Sequence, residues 1–252
     1  MKKQDLFYPE ILVTIGDYGF NKGISIQTCS DKSKPFDWGK ITFTSQYQPQ
    51  IEVEENEDIT VSLGYDGQLE QVFIGNVIKG YNASHMDGIM FRDKMVMLER
   101  TVISDTYLNC TPQELITEAL KLAGVTEYRL TDAVFGARSI VPVARKNVIQ
   151  LLKQINTMWG ISLQGNFIKG TFYWGVTPEQ DTVLEFVYAQ NIISLGKGMG
   201  MWELVTVSIP SLQHSQKISV VHPKISGVFE IEKVIFKTND DGYIRTTIYF
   251  KE

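Results

Sequence analysis

Five acidic side chains crowd one short stretch: Glu52, Glu54, Glu55, Glu57 and Asp58. A calcium loop needs oxygen ligands in a fixed order around a sharp turn, and this stretch lacks that order. A solvated turn whose charges discourage strand pairing is the plain reading. His85, His214 and His222 fall in three separate predicted turns, so surface positions are expected for them and a shared metal is not. Cys110 and His85 have no orienting third group around them, which a nucleophile needs. Carboxylate pairs for glycoside cleavage can be drawn from the many Asp and Glu, but nothing selects one. Trp159, Tyr173 and Trp174 are expected to pack as a core aromatic group. Gly196, Gly198 and Gly200 form a flexible stretch, but no Lys-Ser/Thr follows, so they are not a phosphate loop. These residues predict no catalytic, cofactor or metal site, and a chain that is not an enzyme.

The elements that carry these residues are mostly strands. Ile11 to Ile15, Ile24 to Gln27 and Trp38 to Thr44 read as strands. Ile51 to Glu54 alternates, Glu55 to Asp58 turns it, and Ile59, Val61 and Leu63 resume the alternation. Val72 to Ile78 is another strand, with Gly75 marking a bulge or a close backbone approach. Asp87-Gly88 then signals a hairpin into the apolar run Ile89 to Leu98. Strands at this spacing predict a barrel or sandwich up to about Thr101.

The period changes at Asn109. Thr111-Pro112-Gln113-Glu114 is a capping box, Leu115, Ile116, Ala119, Leu120 and Ala123 make an apolar stripe, and Gly124 ends it. A second helix is expected from about Arg145 or Asn147 to Trp159, closed by Gly160. Val125 to Val143 reads as mixed. Strands then return: Ile161 and Leu163, a turn at Gly165-Asn166, and Ile168 to Trp174. Val183 to Tyr188, Ile192 to Leu195 and Leu204 to Ile209 follow. Lys217 to Glu252 predicts a three-stranded antiparallel meander with a turn at Asn239 to Gly242, and with Ile244, Thr246, Ile248 and Phe250 on one face.

The chain has 252 residues, 43% of them hydrophobic and 21% charged, with a formal net charge of −5. That composition fits a folded chain. The acidic balance argues against a protein that grips nucleic-acid phosphates. Cys29 and Cys110 lack metal spacing; a disulfide cannot be read from sequence, and reduced, partly buried thiols of a cytosolic product are expected. Met1-Lys2-Lys3 is followed by Gln4-Asp5 in place of an apolar core, so no signal peptide is expected, and no membrane insertion.

One pattern occurs twice. Ile59-Thr60-Val61-Ser62-Leu63 precedes Val72-Phe73 and Val77-Ile78, and Ile218-Ser219-Val220-Val221 precedes Val228-Phe229 and Val234-Ile235. A duplicated small barrel with a helical insertion accounts for the echo. The expected fold is mainly β with an α insertion: two small tandem β-barrels separated by a helical segment with a hairpin. Residues 1–104 would be the first barrel, 105–160 the helical insertion, and 161–252 the hairpin and second barrel.

This order resembles the baseplate hub proteins of phage tails, the late control D family, and the related hub regions of contractile injection systems. Glu57-Asp58-Ile59-Thr60-Val61 and Phe73-Ile74-Gly75-Asn76-Val77 carry the likeness in the first barrel. Thr111 to Ile116 and Leu151-Leu152 through Trp159-Gly160 carry it in the middle. Ile209-Pro210-Ser211-Leu212, Val220-Val221-His222-Pro223 and Gly227 to Ile231 carry it at the end.

The resemblance implies a structural homotrimer in a virion or particle baseplate, assembled in the host bacterial cytoplasm. Two barrels in each of three subunits would match a hexameric tail tube to a trimeric spike. The implied partners are the tube or tube-initiator protein, the spike protein and the tape-measure protein, with DNA passing without sequence-specific binding. Under that reading Glu52, Glu54, Glu55, Glu57 and Asp58 would line the channel or an interface. Val220, Phe229, Ile231, Tyr243 and Arg245 would lie on the ring-forming strands. An all-β receptor- or carbohydrate-binding tail module is the alternative, and a tail-associated cell-wall hydrolase a third reading.

Overall fold

The computed structural model describes residues 8–44, 51–81, 88–198, 200–239 and 243–252. The chain is mainly β, with 54% strand and 13% helix. It forms two compact units: Met1–Asp93 with Glu179–Glu252, and Lys94–Pro178.

The β unit begins with β1 (Pro9–Ile15), β2 (Tyr18–Phe20), β3 (Ile24–Asp31), β4 (Trp38–Phe43), β5 (Asp58–Tyr65), β6 (Gln68–Lys79) and β7 (Ile89–Asp93). The other unit holds α1 (Met95–Arg100), β8 (Val102–Cys110), α2 (Pro112–Leu122), β9 (Tyr128–Leu130), β10 (Arg138–Asn147), α3 (Val148–Trp159), β11 (Gly165–Ile168) and β12 (Thr171–Trp174). The β unit then resumes with β13 (Leu184–Val187), β14 (Ser194–Gly198), β15 (Met201–Val207), β16 (Lys217–His222), β17 (Ile225–Thr238) and β18 (Ile244–Phe250).

Alternation sets the inner face of these strands, because successive side chains point to opposite sides. Ile59, Val61 and Leu63 of β5 are fully buried, as are Ile248 and Phe250 of β18. Phe73 meets Phe91 edge-on at 4.8 Å, and Phe229 stacks on Phe250 at 4.9 Å. Each such side chain contributes ~1.5–3 kcal/mol by leaving water. One continuous hydrophobic cluster draws on both the early and the late strands.

The hydrogen-bonded order runs β14-β15-β18-β17-β3-β4-β7-β6-β5-β1-β2, with β16 and β13 branching from β17. The path is open, and the described strand pairs close no barrel. The reason is visible at β3. Its second edge, which a closed first barrel would use within its own half, pairs instead with β17 of the late half. The early and late strands therefore share one sheet.

In the other unit, α2 and α3 start at capping boxes. Glu114 N–H donates to Thr111 Oγ1 at 3.4 Å, and Thr111 N–H donates to Glu114 Oε2 at 2.8 Å. Asn147 and Gln150 repeat the exchange at 2.8 and 3.0 Å. Each cap is worth about 1 kcal/mol. Leu115, Ile116, Ala119 and Leu120 of α2 are buried, as are Val148, Leu151, Leu152 and Ile155 of α3. Gly124 and Gly160 follow the helices with left-handed φ of 73° and 64°.

Several expectations need correction. The apolar run Ile89 to Leu98 is a strand only to Asp93; Met95–Arg100 is helical and buries Met95, Val96 and Leu98. Val102–Cys110 is a strand that pairs with Arg138–Asn147, so the mixed stretch after Val125 holds a ribbon partner. The hairpin turn falls at Lys169-Gly170, with φ of 47° and 82°, and not at Gly165-Asn166, which lie within β11. That hairpin pairs with β9 inside the Lys94–Pro178 unit. Asp87 and residues 240–242, where two turns were expected, lie outside the described residues.

Gly75 is a close backbone approach, as its place in the strand suggested: a Cβ there would lie 1.9 Å from the Arg92 carbonyl oxygen. Backbone cannot move aside as a flexible side chain can. Gly75→Val is expected to cost on the order of 2–4 kcal/mol, read as a lower urea midpoint at unchanged slope. A midpoint equal to wild type would show that β6 and β7 are further apart than described.

Candidate functional site

The acidic stretch leads into β5. Glu52, Glu54, Glu55 and Asp58 are exposed, and Val53 between them is buried and bridges Tyr81. Asn56 makes the turn with φ of 80°. Asp58 Oδ1 accepts from Asn76 Nδ2 at 2.9 Å. Glu57 is half-buried, its Oε2 is buried without a hydrogen-bond partner, and it lies over Gly16, where a Cβ would come within 3.3 Å of that oxygen. The five carboxylates therefore share a segment but not an environment.

The residues assigned to ring-forming strands divide in two. Val220 and Ile231 are fully buried, and both edges of their strands are already hydrogen-bonded at these residues, Val220 between β13 and β17 and Ile231 between β18 and the Ser215-Gln216 backbone. Phe229 is half-buried on Phe250. Tyr243 is exposed, and the Arg245 guanidinium lies 3.5 Å from its ring centroid.

His214 corrects the expectation of surface histidines. It is 2% exposed, with Nδ1 2.9 Å from Ser215 Oγ. Burial, helped by Lys32, pushes its pKa down to about 4 against the opposing charges of Asp31 and Glu230. The sequence signal was available: Leu212 and His214 alternate just before the apolar run of β16. His222 is half-buried, edge-on to Tyr188 at 4.7 Å, and His85 lies outside the described residues. Cys29 and Cys110 are free and buried, and burial pushes the Cys29 thiol up to about 11. Trp174 is fully buried with its Nε1 unpartnered, whereas Trp159 is half-buried and donates to the Gly136 carbonyl at 2.7 Å.

A second charged group, which sequence reasoning missed, surrounds the joint of β3 and β17. Asp37 accepts from the Asp31 amide at 3.0 Å, and its own amide donates to buried Asp93 at 3.1 Å. Burial pushes the Asp37 carboxyl up to about 6, against hydrogen bonds from Ser30 and Asp31. Lys32 pairs with Glu230 across the end of the joint. Among the described residues no group of three or more His, Cys, Asp or Glu is arranged to hold a metal. A cleft of about 580 Å³ in the helical unit is lined by Arg145, Lys146, Lys153, Gln150, Gln154 and Met158 among others. Its lining holds no carboxylate, cysteine or histidine to activate the Thr157 hydroxyl or the lysine amines, and its character is basic and polar.

The geometry that organises the β unit is a repeat. The strands β1, β3, β4, β5, β6 and β7 lie side by side as first, fourth, fifth, sixth, third, second. The strands β13 to β18 lie in the same order. The match extends to single residues. Asn56 N–H donates to the Val77 carbonyl and Val77 N–H to the Glu57 carbonyl, at 2.8 and 2.9 Å. Ser215 N–H donates to the Ile231 carbonyl and Ile231 N–H to the Gln216 carbonyl, at 2.7 and 2.8 Å. Asn56 and Ser215 both have positive φ, 80° and 67°. Bulges follow Val77 and Ile231, opposite Phe91 and Phe250. The copies differ at one pair: β1 runs antiparallel to β5, and β13 parallel to β16.

No protein-family model matches the chain, and no curated protein matches it by sequence. Solved structures do. A 43 kDa tail protein of prophage MuSo2 from Shewanella oneidensis superposes with a TM-score of 0.75 at 13% identity, over 96% of this chain and 97% of that one. The fold is that of phage tail proteins. A tail protein from Neisseria meningitidis MC58 gives 0.70 at 13% identity over 98% and 97% of the two chains. An Escherichia coli type VI secretion component, described as similar to bacteriophage T4 tail proteins gp27 and gp5, gives 0.68 at 12% identity over 95% and 76%.

Two desolvated groups near the joint, buried His214 and half-buried Asp37, should oppose each other in acid. The unfolded chain protonates His214 near pH 6.5 and the folded chain only near 4, so its stabilising contribution is complete above pH 6.5 and is lost as pH falls toward 4. Asp37 does the reverse: the folded chain takes its proton near pH 6 and the unfolded chain near 3.8, so acidification favours the fold there. Between pH 7 and 5, His214→Gln is expected to gain about 1 kcal/mol and Asp37→Asn to lose about 2 kcal/mol, while the wild type changes little. Urea titrations at the two pH values measure this, and parallel behaviour of all three proteins would contradict it.

Proposed function

We propose that the chain is a structural subunit of a phage-type tail or related injection machine, and that it works there as a hub. In this reading three copies form a ring, and the repeat supplies two alike modules per copy. The six similar positions meet a hexameric tail tube on one side, and the threefold axis meets a trimeric spike on the other. The observation that carries the reading is the repeat itself, the same strand order with the same hydrogen bonds at Val77 and Ile231, in a chain that superposes end to end on tail proteins. A further neighbour, from a Francisella PdpA–VgrG complex, supports a protein partner; it gives a TM-score of 0.60 at 9% identity over 99% of this chain and 59% of that one.

The role is mechanical and not catalytic. The exposed carboxylates Glu52, Glu54, Glu55 and Asp58 suit a channel wall, because like charge keeps passing DNA from adhering. Tube, spike and tape-measure proteins are the partners this role requires, and the tail or baseplate of a particle is its place. Light scattering with the spike partner present tests the reading. The expected mass is that of three copies of the 28.6 kDa chain plus spike; a chain that stays monomeric with the spike would contradict it.

A further inference from the structure

The β8–β10 ribbon has one covered face and one bare face. Ile103, Val141 and Val143 are buried on the inner face, which packs on the helices of the same unit. On the outer face Leu108 stands directly opposite Ile140, and Thr106 opposite Pro142. Leu108 and Ile140 are 67% and 60% exposed, with Cβ atoms ~4.5–5.5 Å apart by strand geometry. No charged side chain stands among these four.

The edges of the ribbon are guarded at its centre. Residues opposed in an antiparallel pair either bond each other or both face outward. The Pro142 carbonyl accepts from Gln154 Nε2 of α3 at 2.9 Å, and the Thr106 amide donates to Asp105 Oδ1 at 2.7 Å. Both backbone groups therefore face outward, and both are taken. Pro142 has no N–H to offer an added strand.

The bare face leads into the basic cleft. Ala144, two residues beyond Pro142, lines the cleft, as does Gln154, which is bonded to the Pro142 carbonyl. A bulge follows Val143, Arg145 takes a φ of 47°, and Arg145 and Lys146 join Lys153 of α3 in the lining. None of these three cations pairs with a carboxylate among the described residues. They stand together in a chain whose net charge is −5.

These features restrict the occupant. A bare apolar sheet face is normally covered by a further layer, and with the edges taken a helix fits it better than a strand. The three unpaired cations select carboxylates. A phosphate backbone is a poorer match, because a nucleic-acid grip spreads many cations over a surface and has no use for Leu108 and Ile140. We infer that this surface docks an acidic amphipathic helix of another protein, with its apolar stripe on Leu108 and Ile140 and its carboxylates in the cleft of Arg145, Lys146 and Lys153. The docking needs only a protein partner and does not depend on the ring proposed above.

Labelled synthetic helices, titrated with the full chain and read by fluorescence anisotropy, test it. One helix of about 18 residues carries Leu at helical spacing and Glu along the flank. A second has the same composition scrambled, and a third has Lys in place of Glu. The acidic helix is expected to bind about tenfold tighter than either, and less tightly as salt rises. Ile140→Asp and Lys153→Glu change exposed positions, keep the wild-type urea midpoint and each weaken that binding about tenfold. The Lys146→Glu/Lys153→Glu protein is expected to prefer the lysine-flanked helix. No binding of the acidic helix, equal binding of its scrambled form, or no loss with either substitution would overturn the inference. Tighter binding of a DNA duplex would also overturn it, as would self-association of the chain that Ile140→Asp abolishes, since each names a different occupant.

Discussion

The β unit depends on one strand pairing, β3 against β17. Without it the early strands and the late strands would be two separate sheets with two exposed edges. With it they form one sheet over one core. Its five residue pairs are flanked by the Lys32–Glu230 ion pair and by the Lys32 amide bond to the Glu232 carbonyl at 2.9 Å. The same pairing denies the first module a closed barrel, since an edge committed to β17 cannot also close on its own module. It also crowds Cys29, Asp37 and His214 into low-dielectric surroundings, which is why all three depart from their ordinary pKa values. These shifted groups are consequences of a packed joint and do not require a reaction to explain them.

The repeat gives that joint its meaning. The two modules share a strand order, and the β3–β17 pairing is the contact that joins them into one sheet. The Lys94–Pro178 unit, inserted between the modules in sequence, obeys separate rules: two capped helices, a two-stranded ribbon and a small three-stranded sheet.

The legible parts of the sequence were those governed by local physics. Thr111 to Gly124 and Asn147 to Gly160 carry caps, stripes and left-handed ends within a few residues, so both helices could be read. The alternation in β5 and β18 exposed their buried faces, and Gly75 announced a close approach. What could not be read was non-local. Nothing in Ile24 to Asp31 states that its far edge meets residues 233–237. Met95 to Leu98 is apolar enough for strand or helix, and only the turn at Lys94 decides. Val102–Cys110 is mostly exposed, so it lacks the alternation that betrays a strand. His214 was misread because a turn residue was assumed to face water. The echo between Ile59 and Ile218 was legible, but its register was not: the hydrogen bonds match Val77 to Ile231, where the sequence pattern had suggested Val234.

Native-state hydrogen exchange at the backbone amides of Gln27–Asp31 measures the β3–β17 joint most directly. If β3 lies between β4 and β17, these amides should exchange only through global opening, at the same free energy as the centre of β5. If alternate amides along Gln27–Asp31 exchange like those of an uncovered edge, the two modules are not one sheet, and the account built on their joint is wrong.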